Sequence, residues 1–153
     1  MAEAPQILLA QTAIAQALAP RPAFDGLPVN VDAALPEERV ERFLNVVRAP
    51  EKAQILDEVL GLGEDDVVVE YAQIYHVEWI VQREDDARRA EAFNAGLLDI
   101  QAGLHADRTL GGAVRGLTIG APNYENHIYA GAPHTSAVVI PVRALLAGAS
   151  PIG

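Results

Sequence analysis

The sequence predicts an α+β fold, a mainly antiparallel sheet with two helices packed on one face. Three observations predict it. Residues 66–82 alternate apolar and polar side chains over a length that suits a long strand with one buried face. Two segments, 5–19 and 85–106, carry apolar residues at steps of three and four. The order is helix, strands, helix, strands, which segregates the helices onto one layer of an antiparallel sheet.

In the first helix, Pro5 suits the first helical position, and Ile7, Ala10, Ile14, Ala17 and Leu18 fall on one stripe. Pro20 and Pro22 stop it. Residues 20–40 are rich in proline and acid and read as a long surface loop. The next stretch supports two readings. Val40, Phe43, Leu44 and Val47 fit a helix, whereas Phe43, Asn45 and Val47 fit a strand. We favour a strand over 42–48. It leads into an extended arm at 48–66 that passes Pro50, Gly61 and Gly63. Within it, Ile55–Leu60 is either a short helix or a second extended piece.

In the long strand, Val67, Val69, Tyr71, Tyr75, Val77, Trp79 and Val81 share one face, and Glu70, His76, Glu78 and Gln82 share the other. The second helix opens on Asp85 as N-cap, with Asp86 complementing the helix dipole. Glu84–Arg88 and Asp85–Arg89 have the acid-before-base i,i+4 order. Ala90, Phe93, Leu97, Ile100 and Leu104 form its buried stripe. Each large side chain there contributes roughly 1.5–3 kcal/mol on burial. Gly111 and Gly112 turn the chain. Strands are expected near 113–119 and 136–145, separated by a long loop at 120–135 that contains Pro122, Gly131 and Pro133. Pro141 places the last strand at an edge or a bulge.

At 153 residues the chain is most simply one domain, 1–153, large enough for a real core. Half of its residues are hydrophobic and 21% charged, a globular rather than a disordered balance. The absence of cysteine excludes a disulfide framework, a cysteine zinc site and a thiol nucleophile. A net charge of -10 argues against a protein that binds nucleic acid by neutralising phosphates. It suits DNA passing by without sticking. Ala17-Leu18-Ala19 imitates a signal-peptide cleavage site. However, no Lys or Arg precedes Arg21, Glu3 is acidic, and Gln6, Gln11 and Gln16 interrupt the apolar run, so that reading is set aside. No stretch approaches the length of a membrane span.

Candidate chemistry is sparse. His76, His105, His127 and His134 lack HxxxH or HExxH spacing, so no metal site is expected. Glu70, His76 and Glu78 share a strand face, where a carboxylate beside a histidine can make a base. A polar sheet face touching solvent or another subunit is the stronger explanation. Ser136 and Ser150 lack a GxSxG elbow. Gly61-Leu62-Gly63 and Gly111-Gly112 match no phosphate-loop pattern and read as turns. No catalytic or cofactor-binding residue is assigned. The distinctive run is Asp107-Arg108-Thr109-Leu110-Gly111-Gly112. It reads as a tight helix-to-strand connector in which Asp107 or Arg108 bonds locally, Leu110 plugs the core and the glycines supply positive φ. Arg108 is also suited to a contact with a neighbouring subunit.

Several segments, in order, resemble one family. They are an N-terminal helix, Val29-Asn30-Val31-Asp32-Ala33-Ala34-Leu35-Pro36, a strand ending Val77-Glu78-Trp79-Ile80-Val81-Gln82, a helix ending Ile100-Gln101-Ala102-Gly103-Leu104-His105-Ala106 followed by the Asp107–Gly112 run, and the terminal strand Ala137-Val138-Val139-Ile140-Pro141-Val142. Together they resemble the tail terminator proteins of long-tailed (siphovirus-type) bacteriophages and phage-like gene transfer particles. The stretch from Pro50 to Asp66 departs from that pattern. The resemblance implies a virion structural protein without turnover or cofactor, assembled in the host cytoplasm and located in the tail and neck region. It implies a homo-oligomeric, hexameric ring at the head-proximal end of the tail tube. Such a ring ends polymerisation of the major tail tube protein and joins the tail to a head-tail connector or stopper protein. Genomic DNA passes through its lumen without specific binding, and no membrane is involved. A ring needs heterologous contacts, for which the loops 20–40 and 120–135 and the arm 48–66 are candidates. Two other readings compete. One is another neck component, an adaptor or stopper. The other is a small hydrolase or acyl transferase with His76 or His134 as base.

Overall fold

The computed structural model describes residues 5–36, 38, 40–50, 53–60, 67–124 and 132–148. They form α1 (Pro5–Leu18), β1 (Val29–Val31), β2 (Arg42–Arg48), β3 (Gln54–Leu60), β4 (Val67–Gln82), α2 (Asp86–Ala106), β5 (Gly116–Ile119) and β6 (Thr135–Gly148). Single 3₁₀ turns lie at Pro22–Phe24 and Leu110–Gly112. The class is α+β. The six-stranded sheet runs β1-β2-β4-β6-β5, with β3 also paired to β4. All pairings are antiparallel except that of β1 with β2, so the sheet is mixed.

The 16-residue strand β4 is the spine. On one side it pairs with β6 from Val69↔Gly148 to Gln82↔Thr135. On the other it takes two strands in tandem: β3 beside Val67–Ala72 and β2 beside Tyr75–Val81. Its alternation sorts the two faces. Val69, Tyr71, Tyr75, Val77, Trp79 and Val81 are buried. Both helices lie on that face, because Tyr75 Oη donates to the Ile7 carbonyl of α1 (2.7 Å) and Trp79 Nε1 to the Phe93 carbonyl of α2 (3.1 Å). Gln11, the polar interruption of α1, is buried and donates to the Val46 carbonyl of β2 (3.0 Å), tying helix to sheet.

In α2 the Asp85 carboxylate caps the Arg88 amide (2.9 Å). The nearby ion pair is Asp86–Arg89 (2.9 Å) at i,i+3. Phe93, Ile100 and Leu104 are buried, but Ala90 is exposed and Leu97 only half-buried. Gly96 and Gly103 complete the buried stripe instead. A Cβ on Gly96 would lie 2.3 Å from the Trp79 indole, so the indole packs directly on the helix backbone. A Cβ on Gly103 would lie 3.1 Å from the Ala17 carbonyl of α1, which marks the crossing of the helices.

Residues 20–40, expected as a loop, contain structure. Phe24 is buried edge-on against Trp79, with ring centroids 5.0 Å apart. Asp99 of α2 fastens this turn by accepting from Arg21 Nη2 (3.0 Å) and the Ala23 amide (2.8 Å). β1 follows. The chain then covers one end of the outer sheet face, where Ala33, Leu35 and Val40 pack on Phe43, Ile80 and Ala137. In the segment read as an arm at 48–66, the residues placed either as helix or as extended chain are strand β3, with a bulge between Ile55 and Asp57. Residues 61–66, including Gly61 and Gly63, lie outside the described residues.

Pro141 is not in an edge strand. β6 lies between β4 and β5 without a register shift. The proline is tolerated because its side of the ladder meets the point where β5 stops. β5 pairing ends at Ile119↔Val142, Gly120 donates to the Pro141 carbonyl (2.8 Å), and Asn123 resumes pairing at Val139. Among the described residues, no helix is long and apolar enough to cross a membrane.

Candidate functional site at the helix-to-strand turn

Residues 107–112 fold as one self-contained turn between α2 and β5. The Asp107 carboxylate organises it. One oxygen accepts from the Thr109 amide (3.0 Å) and the Thr109 hydroxyl (2.8 Å), and the other accepts from the Gly111 amide (2.7 Å). These bonds favour the ionised form. The Thr109 hydroxyl leads, followed by the Gly111 and Thr109 amides, and together they hold the Asp107 carboxyl below the ordinary aspartate value. Three bonds from its own turn engage both oxygens, so the carboxylate braces the turn.

The backbone then takes three consecutive left-handed steps, Leu110 (φ 51), Gly111 (φ 68) and Gly112 (φ 93). Gly111 and Gly112 adopt this region freely, but Leu110 is strained there. Its side chain packs against the main core, and that contact holds the strained residue in place. Gly112 donates to the Thr109 carbonyl (2.9 Å), closing the 3₁₀ turn. Arg108 points elsewhere and donates from Nη2 to His105 Nδ1 (3.1 Å) at the end of α2. Asp107, Arg108, Thr109, Gly111 and Gly112 are all exposed. The result is a preorganised surface projection with a guanidinium and an imidazole on its flank.

The other candidate residues are dispersed. His76 is half-buried on the outer sheet face, opposite Val47 on one side and Pro141 on the other. Glu78, its same-face neighbour, accepts from Asn45 Nδ2 (3.0 Å). Glu70 pairs with Arg115. His134 lies in a turn at φ 54, and its carbonyl accepts from the Arg83 amide (3.0 Å). Ser136 sits within β6 opposite Val81. His127 and Ser150 lie outside the described residues. Among the described residues, no three His, Asp or Glu side chains gather as a metal site.

Asn45 has a role that the sequence reading missed. It is fully buried and clamps the resembling segment 29–36 to the sheet. Its Oδ1 accepts from the Ala33 amide (3.2 Å), and its Nδ2 donates to the Ala33 carbonyl (2.9 Å) and to Glu78. The available signal was a single amide inside the apolar run Phe43–Val47. No protein-family model matches the chain, and no curated protein matches it.

Proposed function

We propose that this chain is a structural ring protein of a long-tailed phage or phage-like particle, placed at the head-proximal end of the tail tube. It ends tube polymerisation and joins the tail to the head connector. The observation that carries this reading is the ordered set of segments with the tail-terminator pattern, of which the Ile100–Gly112 stretch is the sharpest. That stretch is a helix end and a rigid, exposed, self-satisfied turn, which suits a fixed assembly contact. The α+β architecture supports it too. A closed ring needs two different surfaces per subunit, and this fold has a helical layer on one side of the sheet and a partly open strand face on the other. The net charge of -10 suits a lumen through which DNA slides.

The test is to purify the full chain with and without the major tail tube protein of the same particle, then record native mass spectra and electron micrographs. Sixfold rings that cap tubes are expected. A chain that stays monomeric and never binds tube or connector overturns the proposal. Binding to the portal side alone would make it an adaptor instead.

A further inference from the structure

We infer that a cleft lined by arginines beside the start of α2 receives an acidic surface segment of a second copy of this chain. The inference rests on the ring reading above and names one of its heterologous contacts. The cleft holds about 420 Å³ and is lined by Arg42, Arg83 and Arg88, by Glu91, and by small side chains of α2 that include Ala92 and Ala95.

Its charge is only partly neutralised from within, by Glu91 and by Glu41. Arg42 spends its donors on neutral carbonyls, those of Ala23 (2.9 Å) and Asp25 (3.3 Å). Arg83 pairs through Nη2 with Glu41 (2.6 Å), but its Nε is buried and has no partner among the described residues. The Arg88 guanidinium is exposed and forms no ion pair with a described residue. Three guanidiniums share this opening with the Glu91 carboxylate, and Glu41 already pairs with Arg83, which leaves Arg88 as the guanidinium open to an incoming carboxylate. The exposed Arg88 guanidinium offers a planar fork that matches a carboxylate. The occupant is identified by charge complementarity. The chain has only 11 basic residues against 21 acidic ones, so any second copy presents mostly negative surface. The cleft gathers three of those basic residues, a local positive excess even after Glu91 and Glu41 are counted. A positive patch on one side and acidic surface on another is what a head-to-tail contact requires.

The test compares wild type, Arg88→Glu and Arg88→Gln by analytical ultracentrifugation across a salt series. Circular dichroism checks the fold. Arg88 is exposed, so both variants are expected to fold. Wild-type self-association should weaken as salt rises. Arg88→Glu should raise the self-association constant's dissociation value by roughly tenfold or more, and Arg88→Gln by less. If wild type forms rings and both variants form them equally well, this inference fails and the ring reading stands. If wild type forms only a smaller species even with the tube protein present and Arg88→Glu abolishes it, the ring reading fails and the contact between copies stands. If wild type never self-associates, with or without the tube protein, and binds neither tube nor connector, both fail. A variant that assembles normally but loses the tube protein also overturns the inference, because the occupant would then be the tube.

Discussion

At the scale of single residues, Asp107 and Tyr71 show polar groups in opposite circumstances. The Asp107 carboxyl is held below its ordinary value by bonds from its own turn. The native state therefore binds fewer protons at this site than the unfolded chain does. Its stabilisation is present above the unfolded value and is lost as pH falls through the lower, folded one. Asp107→Asn places an amide NH₂ against one of the N–H or O–H donors that the carboxylate now accepts. We expect the variant to be less stable at neutral pH and to lose less on acidification. Urea midpoints from about pH 6 down to about pH 2 measure this. Parallel acid profiles for the two proteins would exclude a bracing role. Tyr71 is the reverse case. Its ring is fully buried, and its hydroxyl has no hydrogen-bond partner among the described residues. Burial pushes its pKa up. Tyr71→Phe removes an unsatisfied polar atom while keeping the ring, so stability should rise by about 1 kcal/mol. A loss of similar size in chemical denaturation would mean that the hydroxyl is satisfied in solution.

At the scale of elements, the contact between α2 and β4 is set by what is missing at Gly96. The Trp79 indole lies where a Cβ would be, donates to the Phe93 carbonyl and makes a T-shaped contact with Phe24. Gly96→Ala improves helix propensity by about 1 kcal/mol, but it pushes a methyl group into a rigid ring. The overpacking should dominate and leave the protein about 2–3 kcal/mol less stable. Gly103→Ala is the milder control, because its nearest clash is 3.1 Å rather than 2.3 Å. Trp79 is the only tryptophan, so its fluorescence reports both the stability change and the displacement of the ring. A stable Gly96→Ala protein with an unshifted spectrum would contradict this packing. The same contact shows what was legible in the sequence. The run of large apolar residues at every second position revealed the buried face of β4, and caps and prolines bounded α1 and α2 within a residue or two. The stripe of α2 was misjudged at Ala90 because hydrophobic periodicity counts side chains and is blind to a glycine that lets another element's ring approach. The strand β3 was ambiguous because its partner is local in space but its exposed Ile55 and Leu56 break the inside-outside rule. For the candidate turn, Asp107 and the glycines were readable from local chemistry. Asn45 and the arginine cleft were not, since Asn45 bonds across 12 and 33 residues and the cleft joins Arg42 to Arg83 and Arg88.

At the scale of the whole molecule, stability should be graded outward from one ladder. β4 and β6 pair over all 14 residues of β6, with Tyr75, Val77, Trp79, Val138, Ile140 and Val142 buried beneath the helices. The peripheral strands have much less support. β1 has three residues, β5 has four, and among the described residues β3 pairs only with β4 and exposes Ile55 and Leu56. Amides that open only on global unfolding should cluster at Tyr75–Val81 and Ala137–Val142. Those of β3 and β5 should exchange through cheaper local openings. Native-state hydrogen exchange in a denaturant series separates the two classes, and equal protection across all strands would show a single cooperative unit. The ring proposal adds a directional consequence. A neighbouring subunit that docks on a peripheral strand or on the arginine cleft must slow exchange there, yet it can hardly change amides already limited by global unfolding. Protection gained on assembly should therefore appear at the periphery, and its location in β3, in β5 or in the first turn of α2 identifies which surface closes the ring.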